Sequence, residues 1–212
     1  MLHSPVPKIF QLPSVPDPNL IAIIGFLNEL EHLKKVYRRN LVIDGSRREN
    51  SAEHSWHIAL MALTLEPYAN FPALDMAKVV KMLLLHDVVE IDAGDVFVYD
   101  AQALVGKYER ELAAAQRLFG LLPSPQGEGF LDLWLEFEKR ETPEAKFAAA
   151  IDSFQPLSNH LLSDGKGIQK YRVPASVVLA EKKHIADGSA ALWAAAQDII
   201  AQCESEGIYL PG

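Results

Sequence analysis

The stretch Val79-Val80-Lys81-Met82-Leu83-Leu84-Leu85-His86-Asp87-Val88-Val89-Glu90 decides how this chain is read: a strongly apolar run ends in an imidazole beside a carboxylate. Both groups lose hydration at the end of a buried segment, and that cost is tolerated where hydrogen bonds, a metal or a reaction offsets it. The run is helical by pattern, so His86 and Glu90, four residues apart, fall on one face. With His54 upstream and Asp152 downstream, the pair offers two imidazoles and two carboxylates, a mixed set that divalent ions accept. A single histidine on an apolar helix is more often a satisfied core residue. Asp87, Glu90, Asp92 and Asp95 crowd beside this one, and such carboxylates repel one another unless a cation lies near. His57, three residues after His54, also has access to the pair, though its place one turn along suits a supporting or core role better.

Outward from that run the chain reads as helices. Leu20, Ile23, Ile24, Leu27, Leu30 and Leu33 recur at three- and four-residue steps after an Asp17-Pro18 start signal. Asp44-Gly45-Ser46 marks a turn, with Arg47 to Asn50 a polar loop after it. A helix opens at Ser51, capped by Ser51 or by Asn50, and another runs from Leu74 to about Glu90. Ile91 to Asp95 is an acidic loop, and Asp100 to Leu121 reads as one long amphipathic helix. Further helices are expected over 131–140, 143–162 (which carries Asp152), 173–184 and 189–204. Strand signals are thin, with no Asn-Gly hairpin. The expected class is all-α: a globular multi-helix bundle forming one domain over residues 19–212, preceded by a Pro-rich arm over residues 1–18 that lies on the surface or on a partner subunit.

Composition narrows the partners. A net charge of −8 excludes an extended nucleic-acid footprint but not a small phosphorylated ligand held by local arginines. No apolar stretch is long enough for a membrane span and no signal peptide is visible. The one cysteine, Cys203, reads as a packing residue, and its solitude suits a reducing cytoplasm. Trp56, Trp134 and Trp193 read as core or interface aromatics, and His160 as a surface or interface residue. Asp92 reads as a solvated loop acid, and Arg38-Arg39 and Lys182-Lys183 as solvated charges.

The spacing His54, His86-Asp87, Asp152 resembles the H…HD…D signature of the HD-domain superfamily of metal-dependent phosphohydrolases. The likeness is closest over Arg48-Glu49-Asn50-Ser51-Ala52-Glu53-His54-Ser55-Trp56 and over His86-Asp87-Val88-Val89-Glu90-Ile91-Asp92-Ala93-Gly94-Asp95, which are similar to segments of the 5′-deoxynucleotidase-like members. It runs from about Leu33 to Leu162 and is weaker around Asp152. The resemblance implies an HD-type bundle in which His54, His86, Asp87 and Asp152 ligate a divalent ion (Mn, Co, Mg, Fe or Zn) and Glu90 and Asp95 do acid/base work. It also implies an arginine on the substrate phosphate, for which Arg39, Arg47 and Arg48 are candidates. Two-metal relatives place further histidines between the HD pair and the last aspartate; none occurs here, which favours one ion. Asn40 stands where some deoxynucleotidases carry a tryptophan, leaving the sugar preference open. The implied reaction releases orthophosphate from a (deoxy)nucleoside 5′-monophosphate, in a cytoplasmic homodimer. Two alternatives stand beside it: the same fold acting on another phosphate ester or a nucleoside triphosphate, or a non-catalytic metal- or nucleotide-binding protein.

Overall fold

The computed structural model describes residues 17–212, so almost all of the Pro-rich arm lies outside the described residues. Helix α1 (Pro18–Glu29) starts where Asp17 accepts the amide of Asn19 at 2.9 Å, with Pro18 in the first turn. Helix α2 (Ser51–Leu65) is capped by Asn50, not Ser51. The Asn50 side chain accepts the Glu53 amide at 2.9 Å, while Glu53 accepts the Asn50 amide at 3.2 Å. That reciprocal cap leaves the Ser51 hydroxyl available for other work.

Between α1 and α2 the chain forms two short strands that the sequence pattern does not signal, β1 (Tyr37–Leu41) and β2 (Arg48–Asn50), paired antiparallel around the expected turn. Gly45 sits at φ +74° in that turn, a conformation glycine adopts without a Cβ clash. The strands pair as Tyr37 with Asn50 and Leu41 with Arg48, and the register shifts between those points. Through that irregularity three consecutive residues, Arg38, Arg39 and Asn40, all line one cavity. A period-two reading cannot anticipate this.

Helix α3 (Met76–Leu85) stops five residues before the expected end at Glu90. His86 to Val89 tightens into a 3₁₀ turn, and a short helix α4 (Glu90–Ala93) follows, ended by Gly94. The His86 Nδ1–H donates to the Leu83 carbonyl at 2.8 Å, a side-chain bond that competes for a backbone acceptor at this point. Asp92 lies in α4, not in a loop, where its carboxylate is held by Arg117. The expected long helix over 100–121 is also broken. Helix α5 (Ala101–Leu104) ends before Gly106, whose left-handed φ of +66° starts α6 (Lys107–Phe119) in a new direction. The remaining helices are α7 (Gln126–Lys139), α8 (Pro143–Leu162), α9 (Ala175–Lys182), α10 (Ile185–Gly188) and α11 (Ala190–Ser205). The class is the expected one, an all-α bundle.

Helix α8 is the axis of the larger apolar cluster, burying Phe147, Ala148, Ile151 and Leu157 against α2, α3, α10 and α11. A second cluster, around Phe26, Leu118, Phe119 and Trp134, takes up Val88 and Val89. The His86–Val89 turn is therefore clamped, with Met82 and Leu83 in one cluster and Val88 and Val89 in the other. Cys203 is buried, and burial pushes its thiol up to about 11, which suits the packing role. Trp134 is buried and Trp193 packs partly on the core, but Trp56 is 65% exposed and is no core residue.

Candidate metal centre and active site

Four elements converge on one point. α2 brings His54, the 3₁₀ turn after α3 brings His86 and Asp87, α4 brings Glu90, and α8 brings Asp152. One ligand atom each of His54, His86 and Asp87 lies within 4.8 Å of the others. Asp152 Oδ1 sits between the imidazoles, 2.9 Å from His54 Nε2 and 3.6 Å from His86 Nε2. Pro156, inside α8, lacks the amide that would bond the Asp152 carbonyl, so the helix is locally loosened where it carries the acid.

The hydrogen bonds show what this cluster lacks. His86 Nδ1–H donates to Leu83, so its Nε2 carries the lone pair of a neutral ring. That Nε2 lies 2.9 Å from Asp87 Oδ1 but is buried without an aligned hydrogen bond. His54 Nδ1 meets the Gln155 Oε1 at 3.1 Å, while the Gln155 amide donates to Glu49 at 3.3 Å. This assigns the Nδ1–H form to His54 and turns its Nε2 lone pair on Asp152. Two lone pairs and two carboxylates thus face one another, an arrangement stable only with positive charge among them. A proton supplies part of it. Burial opposes protonation of His86, but Asp87 and Asp152 hold its pKa well above the usual imidazole range. His54 goes the other way, lowered by burial and by Arg38. A divalent ion taking two imidazole nitrogens and two carboxylates meets the same demand, so the donor set fits a metal.

Arg38, a solvated charge by its sequence context, is buried in the fold. Its Nη1 donates to Asp87 Oδ2 at 2.8 Å, and its Nε lies 3.7 Å from Glu49 Oε2. Burial works against its charge, and Asp87, Glu90, Asp152 and Asp95 more than offset that. Burial likewise opposes ionisation of Asp87, yet His86 and Arg38 bring its carboxyl down to about 2. Glu90 shifts in the opposite sense: burial and the Asp87 charge hold its pKa well above the ordinary glutamate range, and Ser51 Oγ donates to its Oε2 at 2.6 Å. Asp95 is also raised, first by burial and then by Asp87, against Arg38. Glu49 is pushed to about 7 by burial.

These charges make Arg38 a stability element. Arg38→Met is expected to lower the unfolding free energy of metal-free protein by about 3–5 kcal/mol, because it strands buried carboxylates without their partner. Urea melts check this, with Arg38→Lys losing less; a change under about 1 kcal/mol in Arg38→Met contradicts this charge balance.

A cavity of about 220 Å³ opens beside the cluster, lined by His86, Asp87, Glu90, Asp95 and Asp152. Of the three expected phosphate arginines only Arg39 reaches it. Arg47 is exposed and held by Glu53 at 2.7 and 2.8 Å, and Arg48 is exposed on β2, so neither lines the cavity. His57 is exposed on α2 and does not line the cavity. His160, expected at the surface, is buried on the cavity wall, with Nδ1 2.7 Å from the Tyr209 hydroxyl and Nε2 3.0 Å from Asn40 Oδ1. Burial lowers it to about 3, so it stays neutral. Sequence reasoning misses Arg38, Ser51, Gln155 and Lys182. The tandem Arg38-Arg39 upstream of His54 is the one available signal for Arg38; for Ser51, recognising Asn50 as the cap would have released it.

A family model described as HD domain matches residues 30–193. A crystal structure titled a predicted metal-dependent phosphohydrolase, from Magnetospirillum magnetotacticum, is 42% identical and superposes with a TM-score of 0.86, covering 92% of this chain and all of its own. Among curated proteins, the 5′-deoxynucleotidase hdd1 of Schizosaccharomyces pombe is 29% identical over 143 residues, 65% of this chain and 70% of its own length. The 5′-deoxynucleotidase HDDC2 of Homo sapiens is 29% identical over 132 residues, 62% of this chain and 63% of its own. The chain belongs to the HD domain family. Within that family it is similar to proteins named 5′-deoxynucleotidase and to one titled a metal-dependent phosphohydrolase.

Proposed function

We propose that this chain is a metal-dependent phosphomonoesterase that releases orthophosphate from (deoxy)nucleoside 5′-monophosphates. The observation that carries the reading is the convergence of two imidazole Nε2 lone pairs with the Asp87 and Asp152 carboxylates at the wall of a small cavity. His54, His86, Asp87 and Asp152 would hold the ion. When bound, a divalent ion supplies Lewis-acid charge for transfer of a phosphoryl group to water. Two more imidazoles, His160 and His184, line the cavity, but both have their ring nitrogens engaged by other groups, which supports one ion over two.

Glu90, whose pKa burial and Asp87 raise, would give a proton to the departing sugar oxygen, with Ser51 Oγ donating to its carboxyl. Asp95, on the same cavity wall, orients the attacking water. Arg39 reaches the cavity from β1, so its guanidinium is available to a phosphate oxygen. Phe97 and Tyr99 form an aromatic section of the wall, packed on each other with ring centres 5.2 Å apart, which suits a nucleoside. The names of the curated relatives point to the same substrate class. The buried lone cysteine agrees with a cytoplasmic protein, and no helix among the described residues is long and apolar enough to cross a membrane. A homodimer would cover part of the exposed apolar face of α2, where Trp56, Leu60 and Leu63 lie at helical spacing.

The test is product analysis over a nucleotide panel with Mn²⁺- or Co²⁺-loaded protein. Orthophosphate from nucleoside 5′-monophosphates is the expected product. Release of pyrophosphate or triphosphate from triphosphates in its place moves the reading to another hydrolase of this fold. No product from any nucleotide leaves the binding-protein reading.

A further inference from the structure

Helix α9 ends at Lys182, and the turn after it is pinned to α8. His184 Nδ1–H donates to the Glu181 carbonyl at 3.0 Å, and its Nε2 accepts from the Ser153 hydroxyl at 2.8 Å. Helix α10 seats directly on α8 at Gly188, where a Cβ would come 2.3 Å from the Lys146 carbonyl oxygen. This anchoring turns Lys182 into the cavity beside Asp152 and Ser153 and leaves Lys183 exposed to solvent.

The other cations of the cavity divide into two kinds. Arg38 is engaged by Asp87 at 2.8 Å and Lys107 by Glu111 at 2.6 Å. Lys182, Arg140 (which follows α7) and Arg39, already offered to the phosphate from β1, line the cavity, and none of the three forms an ion pair within 4.0 Å among the described residues. Burial of Lys182 and the positive charges of Arg140 and Arg38 work against its ammonium form, while Asp152 and Glu181 favour it from beyond ion-pair distance. An ammonium drawn out of water beside two guanidiniums is costly unless an anion joins it. Lys183, one residue on, shows that the end of α9 did not need an inward-facing charge.

We propose that Lys182, together with Arg140, is a substrate-binding residue that takes the anionic phosphoryl group in the cavity next to Asp152. The inference rests on the phosphohydrolase reading of this cavity and adds to it a residue from α9, downstream of the helix that carries Asp152. A compact ammonium suits a phosphate oxygen as a point charge, and Arg140 adds planar donors.

The experiment uses inorganic phosphate as the probe. Phosphate is titrated into Mn²⁺-loaded protein by calorimetry, and kcat and KM are measured alongside on a nucleoside 5′-monophosphate. Lys182→Met is expected to weaken phosphate binding at least tenfold and to raise KM comparably, with a smaller change in kcat and unchanged Mn²⁺ content. Lys182→Arg should recover most of the binding, and Lys183→Met, which removes the same net charge at the surface, should bind phosphate like wild type. Phosphate binding by Lys182→Met within twofold of wild type overturns the proposal. Because phosphate binding is read without turnover, an incorrect nucleotide assignment does not disturb this test. Arg140→Gln, at an exposed position, gives a second reading should Lys182→Met fold poorly: a severalfold loss of phosphate affinity is expected, and an unchanged affinity contradicts the pairing.

Discussion

Asp152→Ala is expected to lower kcat/KM by at least about 10³-fold, equivalent to roughly 4 kcal/mol of transition-state stabilisation, and to leave the purified protein without stoichiometric metal. The size of the effect follows from where the carboxylate stands. Its Oδ1 is the atom between His54 Nε2 and His86 Nε2, at 2.9 and 3.6 Å, so its loss removes the one anion both imidazoles share. The two rings keep their orientation, because Leu83 and Gln155 hold the opposite nitrogens. Lost activity would therefore report lost charge and coordination in place of a collapsed site. Asp152→Asn separates these further: it keeps the size and one oxygen, and should retain part of the fold stability while losing most of the metal. Steady-state kinetics with elemental analysis of each variant is the check. Full activity and full metal content in Asp152→Ala would remove this aspartate from the site.

Much of this arrangement is legible in the sequence because it rests on strong local signals. The apolar periodicity of α3 and α8 puts His86, Asp87 and Asp152 on helices that must be buried, and the His54 spacing follows from a capped helix start. What escapes is long-range or locally irregular. Arg38 reads as surface charge because its partners Asp87 and Glu49 lie far along the chain or in a strand too short for a pattern. Helix α3 reads through to Glu90 because a 3₁₀ turn has nearly the same apolar spacing over four residues. Gly106 does signal the break between α5 and α6, but an isolated glycine is also tolerated within helices, so periodicity outvotes it. His160 and Lys182 read as surface residues for one reason: the sequence does not show that α8 and α9 meet around the cavity, where a histidine finds Tyr209 and Asn40 and a lysine is drawn out of water.

Removal of the metal carries the other large expected effect. Protein stripped by a chelator keeps its helices, since His86 can hold a proton where the ion would sit and Arg38 still balances Asp87. Stability should nonetheless fall, because an ion that binds only the folded chain contributes about 2.7 kcal/mol at a hundredfold excess over its Kd. Activity should fall much further, by about 10³-fold or more. The decisive measurement is orthophosphate release from a nucleoside 5′-monophosphate as Mn²⁺ is added stepwise to the stripped protein. The rate should rise from near zero in proportion to metal and level off at one ion per chain. A rate independent of added metal, or a plateau only at two ions per chain, would contradict a single ion held by His54, His86, Asp87 and Asp152.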